Sequence, residues 1–144
     1  NRGFMRGPFC PIYGVGALSA YFSLRSFSEN YILLYFCGSF MATTLEYLTA
    51  KLMYKIFGSI WWDYINKPFN YKGILCLESS IAWGFYTIFL FVFLQKGAER
   101  VVNFYSFETG KIIMSVIMFI YIFDFSTRLV ETFDFHEFIK KIRI

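Results

Sequence analysis

Long runs almost free of charge are what most limit the folds open to this chain, because a run of about 20 apolar residues rising roughly 1.5 Å each matches the hydrocarbon thickness of a bilayer. Four such runs are present, at about residues 10–24, 31–53, 74–94 and 112–130. The first is short, broken by glycines and entered through Pro8 and Pro11, which suit a helix start and not a helix interior. The second carries a single acid, Glu46, and the third carries Glu78. The fourth is clean through Phe123 and then meets Asp124 and Arg128. Composition agrees with the runs: 57% of residues are hydrophobic and only 17% charged, which excludes an ordinary soluble domain. The expected fold is therefore all-α, a polytopic membrane protein with about four transmembrane helices in a single integral membrane domain over residues 1–144.

Two segments look amphipathic rather than spanning. In the tail, residues 131–144, Phe135, Phe138, Ile139 and Ile142 share a helical stripe while Asp134, Glu137, Lys140, Lys141 and Arg143 fill the rest. That pattern predicts an interfacial helix. The link from Gly97 to Gly110 mixes apolar and charged residues with no clear period and is expected to lie along the membrane surface.

Lysine and arginine are in excess on cytoplasmic loops. With four spans, the N-terminus, the 54–73 loop with the adjoining Lys51, and the C-terminus share one side and carry ten of the fourteen cations. Arg25, Lys96, Arg100 and Lys111 are left on the other. The side with ten cations is thus read as cytoplasmic. The net charge of +4 points to anionic lipid headgroups as neighbours, and no nucleic-acid module is present. The chain starts at Asn1 rather than methionine, so a further span ahead of it is compatible with this layout. Three cysteines, Cys10, Cys37 and Cys76, lie in or beside the apolar runs and do not form a disulfide framework.

The middle loop is the most distinctive stretch, with Trp61, Trp62, Asp63 and Tyr64 in a row. Counted from the cytoplasmic ends of their spans, Glu46, Glu78 and Asp124 fall at a similar depth, roughly 6 to 10 Å. An ionisable group in the hydrocarbon costs about 2.5–3.5 kcal/mol on insertion scales, so such acids tend to face a protein interior. Around Glu46, Ser39, Ala42, Thr43, Thr49 and Ala50 recur at three- and four-residue spacing, a small polar stripe suited to close helix packing. The candidate substrate or ion site therefore comprises Glu46, Glu78, Asp63, Trp61, Trp62, Tyr64, Asn70, Arg6, Cys10, Tyr13, Cys76 and Asp124. Simpler roles stay open beside it: polar glue for Glu46 and Glu78, an i,i+4 pair for Asp124 and Arg128, an aromatic belt for the tryptophans, packing for the cysteines. No cofactor is expected; a soft metal at Cys10 and Cys76 with an acid is the weak exception, because the chain lacks Cys-x-x-Cys and paired histidines.

The segments Asn1-Arg2-Gly3-Phe4, Gly7-Pro8-Phe9-Cys10-Pro11-Ile12-Tyr13-Gly14, Glu46-Tyr47-Leu48-Thr49, Trp61-Trp62-Asp63-Tyr64, Lys67-Pro68-Phe69-Asn70, Gly73-Ile74-Leu75-Cys76-Leu77 and Trp83-Gly84 carry a resemblance. They resemble the bacterial family of small polytopic membrane proteins labelled ABC-transporter type IV, the CmpB-like permeases. The match runs from Asn1 to about Leu94, with a looser tail at Asp124-Phe125-Ser126. The resemblance implies a multi-pass protein of the bacterial plasma (inner) membrane, often with one more hydrophobic helix ahead of this segment. The chain has no Gly-x-x-x-x-Gly-Lys-[Ser/Thr] phosphate loop, so a separate ATPase would have to supply hydrolysis. At this length transport implies a homo-oligomer or partner subunits. Two other readings remain: a membrane-embedded enzyme at the headgroup level, with Glu46 or Asp63 as base and Cys10 or Cys76 as nucleophile, and a noncatalytic assembly or regulatory subunit.

Overall fold

The computed structural model describes residues 5–7 and 9–132. The proposed amphipathic helix of the tail lies outside the described residues. The described chain is helical except for one small hairpin: α1 (Pro11–Leu24), a 3-10 turn (Arg25–Phe27), α2 (Tyr31–Phe57), β1 (Asn70–Tyr71), β2 (Leu75–Cys76), α3 (Leu77–Phe89), α4 (Gln95–Val102) and α5 (Phe107–Thr132). A π turn, Leu90–Leu94, joins α3 to α4, so residues Leu77–Val102 run as one 26-residue rod. The protein is an all-α membrane-type fold.

Among the described residues three helices are long and apolar enough to cross a bilayer: Tyr31–Phe57, Leu77–Val102 and Phe107–Glu131. The expected first span differs. Its helix has 14 residues, about 21 Å, short of the roughly 30 Å hydrocarbon core. Pro11 fixes its first turn and the 3-10 turn ends it at Leu24. The other spans reach beyond the bounds read from sequence. α2 continues to Phe57, where Gly58 closes it in the left-handed conformation (φ +71°). The third span begins later, at Leu77, and absorbs the first half of the Gly97–Gly110 link. The second half enters the fourth span, which starts at Phe107, so that link is not a separate surface helix.

Contacts group the chain into two compact units, residues 12–104 and residues 1–11 with 105–144. In the first, α2 and α3 form an antiparallel pair held by close approach rather than by bulk. Gly38 of α2 faces Thr87 so tightly that a Cβ would lie 2.3 Å from its hydroxyl, and Gly84 of α3 faces the Tyr35 ring at 2.5 Å. Polar bonds reinforce the seam: the Ser39 hydroxyl donates to the Ser80 carbonyl and the Tyr35 hydroxyl to the Ile81 carbonyl at 3.3 Å. In a membrane, where lipid is as apolar as leucine, such packing and interhelical bonds supply what hydrophobic burial supplies in water. The sequence stripe on α2 is on this seam, with Glu46 and Ala50 buried. At its other end, Ala20, Leu24, Leu34 and Phe91 form a small core joining α1, α2 and the π turn.

In the second unit, Asp124 of α5 accepts the backbone N–H groups of Arg6 (3.2 Å) and Gly7 (2.9 Å), and the Arg6 guanidinium pairs with Glu131. Arg128 also reaches Glu131, at 3.2 Å. The polar end of α5 is thereby used to hold the chain entering α1.

Substituting Gly38 by Ala drives a methyl into Thr87, an overpacking defect expected to cost about 1–3 kcal/mol. Thermal unfolding in detergent should show a lowered midpoint for Gly38→Ala and partial recovery in Gly38→Ala/Thr87→Gly; an unchanged midpoint for the single variant would contradict the packing.

Candidate functional site

The loop between α2 and α3 is a built structure. Asp63 accepts the N–H of Ile65 at 2.8 Å, a turn two residues long. The Tyr64 N–H bonds the Gly73 carbonyl at 2.8 Å, and the Trp62 indole donates to the Ile74 carbonyl at 2.9 Å. The Asn70 amide donates to the carbonyls of Ile65 and Lys67 and accepts from the Gly73 N–H. β1 and β2 pair antiparallel, Asn70 opposite Cys76 and Tyr71 opposite Leu75. Their turn places Lys72 and Gly73 at φ +53° and +69°, closed by Ile74 N–H to Tyr71 C=O at 3.0 Å. Two consecutive left-handed residues are the signature of hairpin turns of type I′. Gly73 is required twice over, because a Cβ there would also lie 2.7 Å from the Asp63 carboxylate.

That construction aims Tyr64 at α2. Its hydroxyl donates to one Glu46 oxygen at 2.9 Å, and the Trp83 indole of α3 donates to the other at 3.1 Å. One carboxylate, 5% exposed, thus joins α2, α3 and the hairpin. Each bond to a charged acceptor is worth about 1.5–3 kcal/mol, whereas a buried carboxylate left bare would cost far more. Both donors are neutral, and among the described residues Glu46 has no ion-pair partner. The same carboxylate lines a groove of about 460 Å³ formed by α1, α2 and α3. Its walls are otherwise mostly apolar or small, including Gly16, Ala17 and Ala20 of α1 and Leu90 of the π turn. Tyr13 stands in it, its ring 5.9 Å from that of Trp83. Pi turns recur beside binding sites because the extra residue re-aims the following side chains.

The sequence-derived site is therefore divided. Glu46, Tyr64 and Tyr13 come together around the groove. Glu78 does not join them, because the hairpin delays the helix start to Leu77 and leaves Glu78 in the first turn, exposed and paired with Lys67 at 2.8 Å. Such a surface pair contributes about 0–1 kcal/mol. Asp63, Trp62 and Asn70 shape the loop; Trp61 packs on Phe57 with ring centroids 5.1 Å apart. Cys76 is buried and caps α3, its sulfur accepting the Ser79 N–H at 3.4 Å. Cys10, Arg6 and Asp124 belong to the other unit, where Asp124 accepts the Arg6 and Gly7 N–H groups. Among the described residues no group of three or more His, Cys, Asp or Glu side chains is placed to hold a metal. Trp83 is the residue that sequence reasoning left out of the site. The signal was available: an indole in the middle of a span needs an acceptor for its N–H.

Helices of this length and apolarity, with a polar group secured inside, define an integral membrane protein of the helical class. The chain belongs to the family described as "Putative ABC-transporter type IV", whose model matches residues 1–129. No curated protein and no solved structure matches it.

Replacing Gly73 with Val should disrupt the hairpin, through both its positive φ and the clash with Asp63. Limited trypsin digestion in detergent is expected to cut after Lys72 at least several-fold faster than in the parent; equal rates would contradict the assigned turn.

Proposed function

We propose that this protein is a permease-like transport component whose substrate or coupling cation is held at Glu46, in the groove between α1, α2 and α3. One observation carries the reading: a carboxylate buried in the membrane-spanning part, bonded among the described residues to two neutral donors, lines a groove whose other walls are largely apolar. A group of that kind attracts a proton, a metal cation or a protonated amine, and the groove suits an apolar body attached to it. Tyr64 then acts as the movable part. It reaches Glu46 from the loop ahead of β1, which its N–H ties to the hairpin at Gly73, so a cation arriving at the carboxylate competes with its hydroxyl and loosens that loop from α2. The lysines of the α2–α3 connection support a cytoplasmic position for that end, in a bacterial inner membrane. Family membership supports an association with a separate ATPase, and oligomerisation would supply the remainder of a translocation path.

A fluorescent lipophilic cation added to purified protein in neutral detergent tests this, with quenching of the Trp83 region as readout. Glu46→Gln should weaken binding about tenfold or more, since it removes the charge and keeps the shape. Glu78→Gln should bind as the parent does, because that acid is turned toward Lys67. Equal affinity in the parent and Glu46→Gln would end the proposal.

A further inference from the structure

A second groove, of about 570 Å³, runs down the other side of α2 between that helix, the hairpin and the start of α3. Its deeper part is apolar and hydroxylated, with Phe36, Phe40, Ser39 and Thr43. The Thr43 hydroxyl is buried and has no hydrogen-bond partner among the described residues. A buried hydroxyl without an acceptor is costly, so its presence on a groove wall asks for an acceptor from outside the chain. The mouth is framed by two tyrosines, Tyr47 of α2 and Tyr71 of the hairpin, whose rings lie 6.3 Å apart. Each carries an ammonium: Lys51 Nζ sits 4.8 Å from the Tyr47 centroid and Lys72 Nζ 5.5 Å from that of Tyr71. Neither lysine has an ion-pair partner among the described residues, whereas Lys67 beside them is engaged by Glu78.

We infer that this groove is a binding site for an anionic diacyl phospholipid. The phosphate would sit at Lys51 and Lys72, an ester carbonyl would accept from Thr43, and an acyl chain would lie along Phe40 and Phe36. The spacing on α2 supports the assignment. Residues 51, 47, 43, 40 and 36 follow one face of the helix, and one turn, about 5.4 Å, separates Tyr47 from Thr43. Lys51 reaches back toward Tyr47, so its charge stands near the level of that ring, one turn from the orphan hydroxyl. In a glycerophospholipid, phosphate and ester carbonyl are likewise only a few bonds apart. Charge complementarity selects the anionic lipid: among the described residues the mouth offers two cations held only on tyrosines, without an ion-pair partner, and no carboxylate lines the groove. Because Tyr71 and Lys72 belong to the hairpin to which the Tyr64 N–H is bonded through the Gly73 carbonyl, a lipid bound here would brace the hairpin against α2. The assignment does not depend on the transport reading, since Glu46 lines the other groove.

Native mass spectrometry of the full chain, released from neutral detergent after exposure to equimolar phosphatidylglycerol and phosphatidylcholine of matched acyl chains, tests it. The parent should retain the anionic lipid at least tenfold more than the zwitterionic one. Each lysine near a headgroup contributes about fivefold, so Lys51→Gln/Lys72→Gln should fall to near parity. Lys51→Arg/Lys72→Arg should keep the preference, and Lys96→Gln, in α4 and outside the groove, should leave it unchanged. The soluble headgroup glycerophosphoglycerol should not be retained, since it lacks the acyl chains that fill the groove. Equal retention of both lipids by the parent, full preference in the double glutamine variant, or a lipid-free dimer in place of lipid adducts would overturn the assignment. Should the glutamine variant fail to fold, the parent's lipid ratio and the arginine variant still decide the question.

Discussion

The carboxylate of Glu46 is the constraint on which the functional half of the structure depends. It sits on a membrane helix where an unbonded charge is expensive, and the chain answers by bringing two donors, Tyr64 from the loop tied to the hairpin and Trp83 from α3. Those bonds need the α2–α3 seam to be close, which Gly38 and Gly84 permit, and need the hairpin to be rigid, which Gly73, Asp63 and Asn70 secure. Seam, hairpin and acid are mutually dependent parts of one arrangement.

The arrangement also separates two kinds of polar residue that look alike in sequence. Glu78 and Asp124 are spent on structure, the first on Lys67 at the helix start and the second on backbone N–H groups at the chain's entry. Glu46 instead faces a groove and, among the described residues, bonds the neutral Tyr64 and Trp83. Acids paired with cations or capping backbone have little capacity left for a ligand, whereas one bonded to a phenol and an indole keeps its charge available.

Much of this was legible from residue pattern. Charge-free runs gave the helical membrane class and three full-length spans, and small residues at helical spacing marked the packing face of α2. The polar-aromatic stretch at Trp61 announced an unusual connector. What escaped was geometry set by tertiary contact. The positive φ of Lys72 and the pairing of Asn70 with Cys76 have no strong local signal in such short strands, so the hairpin was missed and α3 was started three residues early. That shift alone moved Glu78 from an expected membrane depth to the exposed first turn. α1 looked like a span because hydropathy cannot see where a 3-10 turn ends a helix. Trp83 was passed over because an indole on an apolar helix reads first as bulk, and its acceptor is 37 residues away.

The most direct test of the central claim, that Glu46 physically couples α2 to the hairpin, is a double-mutant cycle of Glu46→Leu and Tyr64→Phe, measured by denaturant unfolding of the full chain in detergent. The account predicts a coupling energy of about 1–2 kcal/mol between the two sites. Additive effects, within about 0.3 kcal/mol of the sum of the single changes, would contradict it.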